Sequence, residues 1–199
     1  MDAYRRSLIS AAGAASVAPF VNAWGALKPQ TNKLVLSDFA SGHMLPGVAW
    51  RGFSDRVMGG ISNAELNTAR IAGKNCIRLS GNVTRESNGG FIQMAMYFGW
   101  NYNELNGSDY KGVELLVYGN NEDYNVHVRT SDCRWHDESY RMTFFAEPTW
   151  QRIRVPWEAF KGNRITEPLD SSRLQRIAVL GWMREFEADI ALAEISLYS

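Results

Sequence analysis

The sequence predicts an all-β domain, a sandwich or barrel of short strands, from three observations. Seven Trp, eight Tyr and nine Phe in 199 residues are a heavy aromatic load, and aromatic side chains favour pleated, half-buried surfaces. Seventeen Gly supply many tight turns. Apolar and polar residues alternate over short runs, the period of a strand with one buried face. At 45% hydrophobic and 21% charged, the composition is that of an ordinary globular protein. The length suits one domain with a terminal extension and buries a sizeable core without crosslinks.

The elements follow in chain order. Residues 76–80 and 91–96 are strand candidates. Residues 113–118 place Val113, Leu115 and Val117 on one face and end at the turn signal of residues 119–123. Residues 124–129 turn Val126 and Val128 inward and His127 and Arg129 outward, and these two runs together predict a hairpin. Residues 141–144 and 151–155 alternate as well. Helix is scarce. Residues 156–160 predict one turn with Pro156 near its start, and residues 170–174 another capped by Asp170 or Ser171. Near the C-terminus Ile190 and Leu192 share one phase, and Ile195 and Leu197 the other. That switch predicts a β-bulge or a strand buried on both faces.

The first residues differ from the rest. Arg5 and Arg6 precede a run from Leu8 to Val21 that carries no charge and is rich in small residues. Val21-Asn22-Ala23 is similar to a small-x-small cleavage site. Residues 1–23 therefore read as a secretory signal peptide, residues 24–33 as a linker and residues 34–199 as the folded domain. Arg5-Arg6-Ser7-Leu8-Ile9 resembles a twin-arginine export signal. The apolar run is too short and too weak to span a membrane, so no transmembrane segment is expected. The expected location is the periplasm or another exported compartment, with mitochondrial and cytoplasmic locations as alternatives.

Lys and Arg number 21 against 21 Asp and Glu. Removing residues 1–23 takes away Arg5, Arg6 and Asp2 and leaves the balance near neutral, so a nucleic-acid partner is not expected. Export would permit Cys76 and Cys133 to oxidise, and whether they meet stays open. No spacing of His and Cys suits a structural zinc, and no metal or other cofactor is expected.

Residues 50–62, Trp-Arg-Gly-Phe-Ser-Asp-Arg-Val-Met-Gly-Gly-Ile-Ser, are the most distinctive stretch. They resemble the opening of the complex I intermediate-associated protein 30 domain, a Trp followed by Ser-Asp-x-Val-Met-Gly-Gly-x-Ser. Later landmarks recur in order: Gly81, Gly89-Gly90-Phe91, Tyr110-Lys111-Gly112-Val113, Tyr124, and Trp150 through Pro156-Trp157 to Phe160. The resemblance runs from Leu34 to Tyr198. It implies a galactose-binding-like jelly-roll β-sandwich with short helical turns. It also implies a non-enzymatic module acting as a chaperone-like assembly factor through protein–protein contacts, the partner being unnamed. The alternative is an exported carbohydrate-binding module.

Physical chemistry leaves the motif two roles. Gly59-Gly60 allows positive φ, Asp55 can accept backbone N–H groups, and Val57 with Met58 could plug the end of a sandwich. That describes a rigid closing loop. A ligand or partner surface built on Asp55, Arg56, Gly59 and Gly60 is the other reading. Alternation also gathers His127, Arg129, Arg141, Arg152 and Arg154 away from the core, with Trp135 flanking them. If their strands are neighbours they form a cationic face suited to carboxylates, phosphates or sugars; otherwise the face is simply solvated. Cys133, His136, Asp137 and Glu138 could gather at a metal or a nucleophile, but no second cluster completes such a site. Without a nucleophile elbow, P-loop or dinucleotide fingerprint, no enzymatic activity or catalytic residue is expected.

Overall fold

The structure, a computed structural model, describes residues 33–99 and 103–199. The readings of residues 1–23 and of the linker up to residue 32 lie outside the described residues. The strands in chain order are β1 (Lys33–Asp38), β2 (His43–Met44), β3 (Val48–Ser54), β4 (Glu65–Ile71), β5 (Lys74–Val83), β6 (Phe91–Phe98) and β7 (Gly112–Tyr118). Then come β8 (Glu122–Thr130), β9 (Ser139–Ala146), β10 (Gln151–Pro156), β11 (Lys161–Asn163), β12 (Leu174–Trp182) and β13 (Phe186–Tyr198). Single 3-10 turns at Trp157–Ala159 and Ser171–Arg173 fall where the sequence predicts them. In the second, the Asp170 side chain accepts from the Ser172 N–H at 3.0 Å.

Two antiparallel sheets form a sandwich. One has seven strands, along β10-β7-β13-β1-β2 with β5 and β4 branching from β13. The other has six, in the order β11-β9-β8-β12-β6-β3. Leu36, Leu79, Leu115, Val117, Ile190 and Leu192 of the first sheet are buried with Ile92, Met94, Val126, Val128, Ile177 and Val179 of the second in one cluster. The phase switch in β13 is a bulge: its register on β7 shifts between Leu192 and Glu194. The extra residue lets Ile190, Leu192, Ile195 and Leu197 all stay buried on the core side.

Three expectations are corrected. Residues 113–118 and 124–129 are strands, but not a hairpin. β7 pairs β10 and β13 in one sheet, and β8 pairs β9 and β12 in the other. Alternation identifies the buried face of a strand but not its partner, and the turn at residues 119–121 carries the chain across the sandwich. The arginine face therefore splits. Arg129 and Arg141 belong to the six-stranded sheet, whereas Arg152 and Arg154 lie on β10 of the seven-stranded one. Val57 and Met58 do not plug the core; they stand 68% and 51% exposed. Cys76 and Cys133 are both buried free thiols.

Candidate functional site

Three constellations contain the residues singled out by the sequence. The first is the Gly-Gly loop. Asp55 opens a 3-10 turn, Asp55–Met58, capped by the Ser54 side chain and closed by Gly59 in the left-handed region at φ +90°. Asp55 is fully buried. Its carboxylate accepts from the N–H of Ser62 (2.9 Å), Gly90 (2.6 Å) and Phe91 (3.2 Å), and from the Ser62 hydroxyl. Burial alone would push its pKa up, but the Ser62 hydroxyl and these N–H groups outweigh it and hold the carboxyl below its ordinary range. Asp55 and Gly60 are thus buried structure and not binding surface, which corrects that expectation. Gly59 and Arg56 stay exposed, and Arg56 donates to the Ser62 carbonyl at 3.2 Å.

The second is the outer face of the seven-stranded sheet. Glu114 on β7 is only 3% exposed and accepts from Lys33 Nζ (2.7 Å), Arg152 (2.7 Å) and Arg154 Nε (2.6 Å). Burial opposes its ionisation, yet the Lys33 and Arg154 hydrogen bonds prevail and hold its pKa at about 2. Arg152 and Arg154 are therefore committed to an internal partner.

The third is the outer face of the six-stranded sheet. Register lines up Arg141 of β9, His127 of β8, Ala178 of β12, Ala95 of β6 and Arg51 of β3 in one transverse rung. The next rung runs Arg129, Arg176, Tyr97 and Ala49. Ala95, Ala178 and Leu180 make the floor: they are buried, with Phe53, Tyr97 and Trp182 packed on them. The walls are cationic and aromatic. The Arg141 guanidinium lies 4.3 Å from the Trp182 ring centroid. Arg51 and Arg176 lie 5.4 and 5.7 Å from that of Tyr97.

His127 is 3% exposed, set edge-on to Trp182 at 5.1 Å. Its Nε2 and the Gln93 Oε1 are buried without a hydrogen-bond partner among the described residues. Burial first, then the charges of Arg141 and Arg176, pull the His127 pKa well below 6.5, so the ring is neutral. Arg129 does not project to solvent. Its guanidinium donates to the carbonyls of Cys133, Trp135, His136 and Glu138 at 2.7–2.9 Å and ties residues 133–138 to β8. Trp135, 68% exposed, sits on that tied loop.

One end of this face opens into a cleft of 620 Å³, lined by Ala49, Arg51, Tyr97, Gly99, Arg129, Ser131, Cys133, Arg134, His136, Gln175 and Arg176. That size is in the range of small-ligand sites. Sequence reasoning placed His127, Arg129 and Arg141 on this face and missed Arg51, Gln93, Tyr97, Arg176 and Trp182. The signal for Gln93 and Tyr97 was present, because they are out of phase with Ile92, Met94 and Met96 in β6. The acidic and sulfur groups at residues 133–138 do not converge. Glu138 accepts from the N–H of Arg134 and Trp135, and Asp137 pairs with Arg164. Among the described residues no cluster of three His, Cys, Asp or Glu is placed to hold a metal, and no helix is long and apolar enough to cross a membrane.

The family model for complex I intermediate-associated protein 30 matches residues 37–189, and the chain belongs to that family. Among solved structures, the chain is similar to the family 11 carbohydrate-binding module of the cellulosomal cellulase Lic26A-Cel5E of Clostridium thermocellum. Identity is 13%, coverage 83% of this chain and 93% of that one, and TM-score 0.64. A family 11 carbohydrate-binding module from Clostridium thermocellum, in complex with a β-1,3-1,4-mixed-linked tetrasaccharide, gives 11%, 83%, 94% and 0.62. The family 30 module of the Clostridium thermocellum cellulosomal cellulase Cel9D-Cel44B gives 14%, 84%, 97% and 0.57. At such identities the likeness establishes a shared fold, the galactose-binding-like jelly-roll sandwich. No curated protein matches the chain in sequence.

Proposed function

We propose that this member of the complex I intermediate-associated protein 30 family is an exported, non-enzymatic binding module that takes a saccharide on the outer face of its six-stranded sheet. One observation carries the reading: a cleft walled by arginines and Tyr97, in which Arg176 Nε is buried without a hydrogen-bond partner among the described residues. Buried polar atoms are nearly always hydrogen-bonded, and their orphaning is a cost that a ligand or a water bound there removes. Guanidinium forks and flat rings are the groups that recognise polyhydroxylated chains. Several solved structures with this fold are carbohydrate-binding modules, one of them described with a bound tetrasaccharide. Titration with a panel of oligosaccharides tests the reading. Tyr97→Ala with Arg176→Ala should abolish binding while the fold persists. A panel on which nothing binds would refute it.

A second reading, an assembly or chaperone-like role through protein contacts, is favoured by one specific feature. Val57, Met58 and Ile61 are exposed apolar side chains on a turn anchored by buried Asp55. Rigid exposed apolar residues suit a protein partner. Val57→Asp with Met58→Asp should then abolish capture of a partner from an envelope extract and leave saccharide binding intact.

A further inference from the structure

We infer that Trp135 is the stacking platform of the cleft, its indole lying flat against a pyranose ring whose hydroxyls are equatorial. The inference rests on the saccharide reading above and adds the residue that grips the sugar and the ring shape it selects. The other tryptophans among the described residues are engaged within the fold. Trp50, Trp150 and Trp157 donate through Nε1 to the Ser37 hydroxyl and to the carbonyls of Ile71 and Tyr110. Trp182 packs against Phe91, His127 and Arg141. Trp135 departs from that pattern. It stands 68% exposed, and its indole has no stacking, cation–π or hydrogen-bond partner among the described residues.

A lone exposed apolar side chain is ordinary on a protein surface. What sets Trp135 apart is the backbone that carries it. Its N–H and that of Arg134 donate to the Glu138 carboxylate at 3.0 and 2.6 Å. Its carbonyl accepts from Arg129 at 2.8 Å and from the Glu138 N–H at 3.1 Å. Arg129 also holds the carbonyls of Cys133, His136 and Glu138. On the far side of the loop, Asn163 donates to the Asp137 carbonyl at 2.9 Å and Arg164 to its carboxylate at 2.7 Å. A loop tied at so many backbone groups presents its one large ring in a fixed place.

That place is the rim of the cleft. Arg134 and His136, the chain neighbours of Trp135, line the cleft, and so does Arg129, which bonds the Trp135 carbonyl. Tyr97, the aromatic ring inside the cleft, already faces the Arg51 and Arg176 guanidiniums at 5.4 and 5.7 Å. An indole offers an apolar face and one N–H donor. A pyranose with equatorial hydroxyls is the matching shape, with C–H bonds projecting from its faces and hydroxyls from its edge. Its face stacks on the ring while its edge meets the polar walls; an axial hydroxyl would come between the two planes. With the backbone already fixed and only two side-chain torsions to order, little freedom is lost on binding.

The test is titration of the purified protein, followed by calorimetry and by tryptophan fluorescence. The probes are a mixed-linked β-glucan oligosaccharide and a β-mannan oligosaccharide of equal length, whose every ring carries an axial hydroxyl. The glucan should bind at least about fivefold tighter than the mannan and change the tryptophan emission. Trp135→Ala should lose about tenfold or more in affinity, the size of a hot-spot truncation, with an unchanged melting midpoint. Trp135→Phe keeps a flat ring and should bind within about threefold of the parent, while the emission change largely vanishes. A merely structural role for Trp135 would not separate binding from emission in this way. Undiminished binding by the Ala variant, a Phe variant as weak as the Ala variant, an emission change that persists in the Phe variant, or mannan bound as tightly as glucan each overturns this inference and leaves the saccharide reading standing. If neither probe binds but another saccharide of the panel does, this inference alone falls. If no saccharide binds, both fall.

Discussion

The buried Asp55 carboxylate occupies the space into which a side chain at Gly60 would have to grow. A Cβ placed on Gly60 would overlap the Asp55 carboxyl group, whereas one placed on Gly59 would meet nothing within 4 Å. The two glycines of the family motif thus serve different needs. Gly59 provides the left-handed backbone, at φ +90°, and Gly60 provides the absence of a side chain. The motif allows positive φ at either glycine; Gly59 uses it, and the requirement at Gly60 is steric. Gly60 also donates its N–H to the Asp55 carbonyl at 3.0 Å, so loop and carboxylate form one unit.

Gly60→Ala should therefore destabilise more than Gly59→Ala. The first forces overpacking against a carboxylate with four donors, at about 2–3 kcal/mol. The second costs about 1 kcal/mol of backbone strain. Denaturant melts of both variants check the order, and equal losses would show that backbone conformation alone governs the loop.

The strands and their buried faces were legible because alternation is local. Val113, Leu115 and Val117, and Val126 and Val128, are buried as their phases require. Pairing was not legible, because β7 and β8 alternate equally well whether they join each other or opposite sheets. The candidate site suffered the same loss. His127 and Arg141 meet across β8 and β9, but Arg152 and Arg154 went to another sheet, where both pair with Glu114. The rung partners Arg51, Tyr97 and Arg176 come from three strands brought together only by the fold.

Arg129→Ala should destabilise the segment of residues 133–138 rather than leave folding unchanged. Four carbonyls lose their donor, and because water can reach part of the segment the loss is about 1–3 kcal/mol. Arg129→Lys recovers only part of it, since one ammonium cannot match the planar fork. Limited proteolysis within residues 133–138 provides the readout; parental resistance in the Ala variant would refute the clamp.

Arg5→Lys with Arg6→Lys should hold the protein back from the periplasm, because the pair keeps its charge but loses the twin-arginine pattern. Fractionation of cells producing the full chain measures this. Normal periplasmic levels would exclude that export route.

Glu114 should contribute to acid stability. Its pKa falls from an ordinary 4.5 to about 2 on folding, so its stabilisation is complete above 4.5 and lost as pH drops toward 2. Glu114→Gln should cost about 1–3 kcal/mol at neutral pH, because Arg152 and Arg154 are themselves half exposed and partly screened. The gap between parent and variant should close between pH 4.5 and 2. A gap that stays constant over that range would show that the charge of Glu114 is not what stabilises.

His127 should make the fold sensitive to mild acid, and the sign follows from its surroundings. In the unfolded chain its pKa is about 6.5. In the fold, burial is the leading cause of its depression, and Arg141 on β9 and Arg176 on β12 add to it. The unfolded state therefore takes up the proton first. Stability is full above 6.5 and falls as pH drops below it, by at most about 1.4 kcal/mol per pH unit for one proton. Carboxylates whose pKa is lowered by folding, Asp55 and Glu114 among them, titrate below this window and so do not mask it. His127→Gln keeps a polar side chain of similar reach without a titrating ring. Its melting midpoint should change less than that of the parent between pH 7 and 5. Parallel pH profiles for the two proteins would mean that the imidazole is solvated or already paired, and that the outer face is more open than its buried floor indicates.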